Sequence, residues 1–266
     1  GELEIAYRVG HGRYVAITGT NGKTTTTTLV GEIFKAAARQ TYVVGNIGVA
    51  VISKALSAEK DSWLITETSS FQLETIRDFR PEISAILNLT PDHLDRHKTM
   101  QNYIDAKARV FENQTKDQYC ILNYDDAECR KLIEKCNATP VPFSRKEMLD
   151  FGAYVKDENI VIKDADGSVC EICGVEDLQI PGTHNLENAL AACAIAHFAG
   201  IDAEVIAKVL REFQGVEHRI ELCNEIDGIR FVNDSKGTNP DAAIRAIEAM
   251  KRDIILIAGG YDKGAS

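Results

Sequence analysis

The fold of this chain is decided by the stretch Tyr14-Val15-Ala16-Ile17-Thr18-Gly19-Thr20-Asn21-Gly22-Lys23-Thr24-Thr25. Its first five residues are apolar or β-branched and predict a buried strand, and a segment with helical spacing begins at Lys23. A strand that leads through a glycine-rich turn into a helix points backbone N–H groups at a phosphate. The stretch therefore predicts a phosphate-binding loop, with an ordinary strand-to-helix turn as the alternative.

Two side chains of this loop predict the kind of phosphate compound. Lys23 would add positive charge near the terminal phosphates of a nucleotide, and Thr24 would offer a hydroxyl to Mg²⁺. The usual spacing would place a glycine at position 17, where this chain has Ile17, so the loop is a shorter Gly-x-x-Gly-Lys-Thr variant. The residues that we expect to bind ATP here are Gly19, Thr20, Asn21, Gly22, Lys23, Thr24 and Thr25.

Outward from the loop, short apolar runs alternate with segments of helical spacing, which is typical of an α/β fold with a mostly parallel sheet flanked by helices. Between residues 152 and 174, three short runs separated by polar turns predict a small antiparallel β extension. Helices are predicted at 185–199 and 203–212. The strands predicted for the parallel part cover residues 14–18, 41–44, 62–67, 83–89, 118–123 and 139–143.

A break in the pattern near residues 215–217 divides the chain. We expect residues 11–216 to be a central P-loop domain. Residues 217–266 would begin a Rossmann-like α/β domain, with a strand at 229–233, a helix at 240–250 and an apolar run at 254–258. The chain starts at glycine and stops before this second sheet is complete, so we expect both ends to be boundaries within a longer protein.

Composition excludes several classes of protein. The 266 residues are 44% hydrophobic and carry a formal net charge of −10, which leaves no basic surplus for nucleic acid. No run approaches the roughly 18 to 20 apolar residues of a membrane helix. Seven scattered cysteines predict reduced thiols, and the pair Cys170 and Cys173 lacks the further ligands of a metal site. We expect a cytoplasmic protein with no membrane or nucleic-acid partner.

Three later segments follow predicted strands, at the sheet edge where α/β proteins build their sites. Glu67 could complete a Mg²⁺ shell begun by Thr24, or it could be an acid favoured by a helix dipole. His93, in the polar segment Asn88 to His97, could bind metal or substrate, although a lone histidine is more often structural. Lys107 lies in a helical pattern in which most lysines simply face solvent.

Together these segments resemble the Mur ligases, the ATP-dependent amide ligases of bacterial cell-wall precursor assembly, and the match covers nearly the whole chain. The resemblance rests on the phosphate loop and on Asn88 to His97, similar to the family's Asn-x-x-x-Asp-His-x-Asp segment, followed by Lys107. Residues 182–192 resemble the family's adenine-side helix, and residues 217–221 resemble the entry to its C-terminal domain. The family has an N-terminal domain that binds a uridine diphosphate, and the resemblance implies that residues 1–10 are the junction from that absent domain.

Two segments indicate a branch of the family. Residues 67–74 and 233–240 resemble the D-glutamate-adding ligases, whereas a diamino-acid-adding ligase would be expected to carry a Tyr-Ala-His type segment at the second place. The folylpolyglutamate synthetases share the phosphate loop but not these two stretches. The resemblance implies a monomer that joins D-glutamate to UDP-N-acetylmuramoyl-L-alanine through an acyl phosphate, with ATP and Mg²⁺.

The resemblance also implies residue roles. Thr24 and Glu67 would hold one Mg²⁺, and His93 with a carbamylated Lys107 would hold a second. Carbamylation needs a neutral amine, so Lys107 should be at least partly buried. The residues with an expected catalytic role are Lys23, His93, Lys107 and Lys236.

Further residues would line the substrates. Asn185 and Asn188 would meet the base, although a capped helix with a polar stripe is the alternative. The sugar-peptide side would be lined by Asn46, Ser69, Gln72 and His93. From the second domain, Arg219 and Asp234 would reach ATP, and Lys236 would lie near its phosphates. Thr238 and Lys263 would be on the glutamate side. For all of these second-domain residues, a solvated surface position is the alternative.

The residues leave competing functions open. A P-loop kinase or NTPase would use water or a hydroxyl as acceptor, and a nucleotide-binding module would have no chemistry at all. Another Mur-type or folylpolyglutamate-type ligase is also compatible with the phosphate loop. Because the flanking domains are incomplete, we expect little ligase turnover from this chain alone.

Overall fold

The computed structural model describes residues 1–250 and 253–260 and contains a nine-stranded sheet. Strands pair in the order β2-β3-β1-β4-β5-β6-β7-β8-β9, parallel from β2 to β7 and antiparallel from β7 to β9. The predicted α/β class with an antiparallel extension is confirmed. The strands are β1 (Arg13–Thr18), β2 (Thr41–Gly45), β3 (Trp63–Glu67), β4 (Ile83–Ile86), β5 (Tyr119–Asn123), β6 (Thr139–Ser144), β7 (Gly152–Lys156), β8 (Asn159–Lys163) and β9 (Val169–Gly174).

Helices cover both faces of the sheet. The period-2 alternation of β1 sends Val15 and Ile17 into one core and Tyr14 and Ala16 into the other. The first core lies under α2, α8 and α9, and the second includes α1 and α7. The helices are α1 (Glu2–Val9), α2 (Lys23–Ala36), α3 (Ile52–Ala55), α4 (Ser70–Leu73), α5 (Leu94–His97), α6 (Met100–Ala108), α7 (Ala127–Ile133), α8 (Thr183–Phe198), α9 (Ala203–Glu212) and α10 (Pro240–Ala249).

The strand order places the ends of β1, β3 and β4 side by side. β1 is hydrogen-bonded to β3 on one side and to β4 on the other, in parallel registers. The loops after these three strands carry the phosphate loop, Glu67 and the segment around His93. This is the edge at which α/β sheets bind ligands, because the carboxyl ends of parallel strands meet there.

Several elements differ from the sequence prediction. Residues 1–10 contain α1, whose Leu3 and Ala6 are buried, because an apolar stripe there packs against the second core. Strand β4 ends at Ile86 rather than at residue 89, since Leu89 N and Thr90 N donate to side chains, to Asp126 and Thr20, instead of to a neighbouring strand.

The C-terminal part differs more. An unpredicted strand β10 (Glu221–Ile226) pairs antiparallel with β11 (Ile229–Asn233), and α10 follows. The apolar run 254–258 forms no strand, and Ile255 and Ile257 are 92% and 96% exposed. A strand needs a neighbour for its backbone groups, and no described strand lies beside this run. A second parallel sheet is therefore absent from the described residues.

The same residues were predicted to lack membrane helices, disulfides and a cysteine metal site. Within 1–250 and 253–260, no helix combines the length and apolar character needed to cross a bilayer. All seven cysteines are free thiols. Over those ranges, no group of three or more His, Cys, Asp or Glu side chains is arranged to hold a metal ion by itself.

Candidate active site

The phosphate loop closes tightly against its neighbours. Gly22 has a φ of 83° at the N-terminus of α2, and a Cβ there would collide with Asn188 Oδ1, so glycine is required on both conformational and steric grounds. Asn88 holds the loop from the other side: its backbone oxygen accepts from Thr20 N at 2.9 Å, and its Oδ1 accepts from Asn21 N at 2.8 Å. The loop is thus preformed around the start of α2.

Lys23 curls back over the loop. Its Nζ donates to Gly19 O at 3.0 Å and to Thr20 O at 2.8 Å. Burial lowers the pKa of Lys23, while the carboxylates of Glu67 and Asp92 act in the opposite direction. A lysine in this position presents its charge at the mouth of the loop, where phosphates of a nucleotide would lie.

Glu67 lies at the end of β3 with its carboxylate shared by two side chains. Thr24 Oγ1 donates to Oε2 at 2.9 Å, and Asn46 Nδ2 donates to Oε1 at 3.0 Å. The residue is 2% exposed, and no lysine or arginine of the described ranges forms an ion pair with it. A buried carboxylate next to a hydroxyl, with no ion-pair partner, fits Mg²⁺, because this ion takes hard oxygen ligands and completes its shell with substrate phosphates.

Lys107 is buried beside the same loop. It is 2% exposed, its Nζ donates to Gly19 O at 2.8 Å, and Nζ lies 4.8 Å from the centre of the Tyr103 ring. Burial holds the pKa of Lys107 well below its usual range, and the charge of Lys23 adds to the effect. The expected burial is confirmed, and it favours the neutral form of the amine.

The substrate-side residues form two contacting loops. Ser69 and Gln72 cap α4 reciprocally, with Ser69 N donating to Gln72 Oε1 at 3.0 Å. His93 has a φ of 53°, and its ring packs edge-on against Phe71 with centroids 5.0 Å apart. The imidazole is 38% exposed and lies near Asp92. The structure thus brings His93 beside the α4 loop with a solvent-facing ring.

The predicted base-side asparagines lie on α8 against the loop. Asn188 Nδ2 donates to Asn185 Oδ1 at 3.1 Å, and Thr26 Oγ1 donates to Asn188 Oδ1 at 3.3 Å. Both asparagines are buried and line a cavity between α8, the phosphate loop and the C-terminal segment. Polar residues around this cavity include Asn21, Thr25, His184, Arg219, Asp234 and Arg245.

The C-terminal residues divide into two groups. Arg219 and Asp234 line the cavity, and burial lowers the pKa of Arg219 and raises that of Asp234. Lys236 is exposed instead and donates from Nζ to Glu217 O at 3.2 Å, and Thr238 is also exposed. Lys263 lies outside the described residues.

Sequence reasoning missed three residues of this centre. Asn88 belongs to a motif noted above, but its two hydrogen bonds to the backbone of Asn21 in the phosphate loop were not predicted. Tyr103 Oη lies 3.1 Å from Thr20 Oγ1, and its helical spacing of four from Lys107 was the available signal. His184 lines the cavity, and burial lowers its pKa to about 4. Its place between Thr183 and Asn185 was the corresponding signal.

Comparison with known proteins places this geometry in a family. Residues 17–196 match a model described as the Mur ligase middle domain. A UDP-N-acetylmuramoylalanine–D-glutamate ligase of Thermoanaerobacter sp. (strain X514) is 56% identical over 265 residues, and one of Clostridioides difficile (strain 630) is 53% identical over 267. Each alignment covers 100% of this chain but only 58% and 59% of the relative.

Solved structures share the fold. The MurF ligase of Thermotoga maritima in complex with ADP superposes with a TM-score of 0.70 at 18% identity, covering 93% of this chain and 58% of that one. A UDP-N-acetylmuramoyl-L-alanyl-D-glutamate–2,6-diaminopimelate ligase superposes with a TM-score of 0.70 at 24% identity. The alignment covers 95% of this chain and 56% of that one. Family model, relatives and fold agree: the chain belongs to the Mur ligase family.

Proposed function

We propose that the protein carrying this chain is an ATP-dependent ligase that joins D-glutamate to UDP-N-acetylmuramoyl-L-alanine. The observation that carries the proposal is the meeting of Thr24, Glu67 and the buried Lys107 at one preformed phosphate loop. The choice of D-glutamate is supported by the names of relatives that are 53% to 56% identical over the whole chain.

The reaction needs activation, because a carboxylate is a poor acyl donor. The alanyl carboxylate would attack the γ-phosphorus of ATP, which gives an acyl phosphate and releases ADP. The amine of D-glutamate would then attack the acyl carbon, which expels phosphate and forms the amide. Such chemistry calls for positioning and for positive charge around the moving phosphoryl group more than for a protein nucleophile.

The chain's own groups meet that demand. Backbone N–H groups of the loop and the start of α2 would hold the phosphates, and Lys23 would neutralise charge on them. Thr24 and Glu67 would hold one Mg²⁺, which supplies Lewis-acid charge neutralisation when bound. Asn46, which shares the Glu67 carboxylate, would face the sugar-peptide side with Ser69, Gln72 and His93.

Lys107 would act as an oxygen ligand after modification. Its neutral amine would add to CO₂, forming an N–C bond and releasing one proton, and the resulting carbamate would bind a second Mg²⁺ together with His93. The burial that lowers the pKa of Lys107 supports this step, since only the free amine reacts.

The remaining contacts would come from α8 and the C-terminal segment. Asn185 and Asn188 would meet the base, and Arg219 and Asp234 would face the rest of ATP across the cavity. In an arrangement with substrate bound, Lys236 would approach the phosphates, and Thr238 and Lys263 would bind D-glutamate. We further propose that the protein is a monomer. It would act in the cytoplasm, which the seven free thiols support, and without membrane or nucleic-acid partners, the latter supported by the net charge of −10.

The test uses the protein at its natural full length. Phosphate release from Mg-ATP is measured with UDP-N-acetylmuramoyl-L-alanine, with and without D-glutamate, and with L-glutamate or a diamino acid as matched controls. Release that requires the UDP-sugar substrate and D-glutamate together is the expected result. A requirement for a different amino acid would indicate another ligase of the family, and release independent of both substrates would indicate a P-loop NTPase.

A further inference from the structure

Asn21 is held at its backbone by the sheet. Its N–H donates to Asn88 Oδ1 at 2.8 Å, and its backbone oxygen accepts from Asn88 Nδ2 at 3.1 Å. Asn88 follows β4, so this pair fixes the middle of the phosphate loop to the end of a buried strand. The side chain of Asn21 takes no part in these bonds and projects away from the sheet toward the C-terminal segment.

The Asn21 side chain is bound at both ends by residues about 220 positions later. Its Nδ2 donates to Asp241 Oδ2 at 2.7 Å, and its Oδ1 accepts from Asn239 Nδ2 at 3.0 Å. Asn239 uses its other amide atom to cap α10, since Oδ1 accepts from Ala242 N at 2.8 Å. One side chain therefore ties the start of α10 to the phosphate loop and starts that helix.

The contact extends across α10 to α8. Asp241 Oδ2 also accepts from Arg245 Nε at 3.1 Å, and Arg245 Nη1 lies 3.9 Å from Glu187 Oε2. The side chains of Arg245 and Glu187 are 28% and 12% exposed, so water screens this pair less than an ordinary surface pair. The phosphate loop, α10 and α8 are thus joined by one continuous set of polar contacts.

Apolar packing holds α10 only weakly. Of its ten residues only Ala242 is buried, while Ile244 is 53% exposed and Ile247 is 37% exposed. Ala242, Arg245 and Ala246 nevertheless form one wall of the cavity that Gly22 and Asn188 line from the other side. The position of that wall therefore depends on the polar contacts at the start of the helix.

We propose that Asn239 and Asp241 are positioning residues that latch α10 onto Asn21 and so hold this wall over the phosphate loop. Neither residue lines the cavity itself; they act through Asn21 and Arg245, which do. The consequence for ATP rests on the proposed function: with the latch formed, the cavity is closed around the nucleotide, and without it the wall can swing away at the cost of ATP affinity.

The experiment measures amide hydrogen exchange in α10 and the Kd for Mg-ATP in the full-length protein. The variants are Asn239→Ser, which keeps a capping oxygen but loses the amide donor, Asp241→Ala, and Asn21→Ala. The last removes the same bonds without altering α10, so a change in α10 cannot be a capping effect. Glu248→Ala is the matched control, because Glu248 is an exposed residue of the same helix.

Exchange in α10 is expected to be about tenfold faster in the three latch variants, with the control unchanged. Kd for Mg-ATP is compared only for Asn239→Ser and Asp241→Ala, because Asn21 itself lines the cavity, and it is expected to be about tenfold higher in both. In the double variant of Asn21 and Asp241, the fold-change should be smaller than the product of the two single fold-changes, because both single variants lose the bond between Asn21 and Asp241. Amide exchange in α10 at the wild-type rate in all three latch variants would show that these contacts do not hold the helix. Faster exchange with unaltered ATP affinity would overturn its role at the cavity. Faster exchange in a protein that binds no ATP would support the latch and contradict the proposed function.

Discussion

The end of the central sheet and the segment 217–250 supply opposite sides of the same cavity but are built differently. All five residues of β3 are buried, and so are the four of β4. Every residue of β10 after the first is exposed, as are four of the five in β11. The comparison teaches that the phosphate side of the site is fixed by a core, whereas the opposite side is positioned by a few polar contacts.

The buried side can hold a ligand rigidly, and the exposed side can give access to the cavity. A loop fixed by buried strands can hold phosphates in one geometry without paying for ordering at each turnover. An exposed segment with little buried apolar area can open at low free-energy cost, which suits a wall that admits and releases nucleotide.

The largest effect is expected from Lys23→Met. Loss of the loop cation should lower phosphate release by about a thousandfold, in the range seen when a transition-state contact is removed. The melting temperature should not fall, because burial lowers the pKa of Lys23 and an apolar side chain avoids that desolvation. Lys35→Met, an exposed change on the same helix, is the control. Release within tenfold of wild type would remove Lys23 from the site.

A large effect on stability is expected from Phe34→Ala. Phe34 is fully buried and packs edge-on against Trp63 with centroids 5.0 Å apart. The change should lower the free energy of unfolding by about 3 to 5 kcal/mol, through lost burial and a cavity. Urea denaturation followed by the fluorescence of Trp63, the single tryptophan, measures it. A loss below about 1 kcal/mol would show that the core beneath α2 is loosely packed.

An intermediate effect concerns pH at the boundary between the two regions. Burial lowers the pKa of His184 to about 4 from 6.5, so the unfolded chain binds more protons between those values. The contribution of neutral His184 to stability is therefore complete above about pH 6.5 and is lost as pH falls toward 4. Because the ring is partly exposed, we expect a loss on the order of 2 kcal/mol.

The measurement for this prediction is the free energy of unfolding from pH 7.5 to 4. The free energy of unfolding should decline less over that interval in His184→Gln than in wild type. In His11→Gln, a change at an exposed histidine, it should follow the wild-type curve. Parallel curves for wild type and His184→Gln would contradict burial of the imidazole.

The smallest effect is expected from Phe231→Ala in β11. Phe231 is 49% exposed, in contrast to the fully buried Phe34. The same chemical change should therefore cost less than about 1 kcal/mol in the same denaturation experiment. A cost as large as that of Phe34→Ala would show that the hairpin is packed, and the contrast between the two regions would fail.

The sequence predicted the fixed side of the site better than the other side. Strand and loop signals are local, so the phosphate loop and the ends of β1 and β3 followed from periodicity and turn residues. Burial of Lys107 did not follow from its helical pattern, which looks like a solvent-facing position; only the family resemblance singled it out. The fold supplies the reason, since α6 turns this lysine toward Gly19.

The C-terminal side could not be predicted from local pattern. The bond between Asn21 and Asp241 joins residues about 220 positions apart and leaves no periodic signal. Strand β10 reads Glu-Leu-Cys-Asn-Glu-Ile, too polar to predict a buried strand, and it forms only because β11 pairs with it. The apolar run at 254–258 shows the converse: β propensity without a neighbouring strand gives no strand among the described residues.

The role of Lys107 is tested most directly by the activity of Lys107→Ala in the full-length protein, with and without a short carboxylate such as acetate. We expect phosphate release that depends on both substrates to fall by at least about a hundredfold, and the carboxylate to restore part of it by replacing the oxygen ligand. Lys131→Ala, a change at an exposed lysine, should stay at wild-type activity with or without acetate. Activity of Lys107→Ala equal to wild type would contradict the central claim that the buried lysine and the phosphate loop form one catalytic centre.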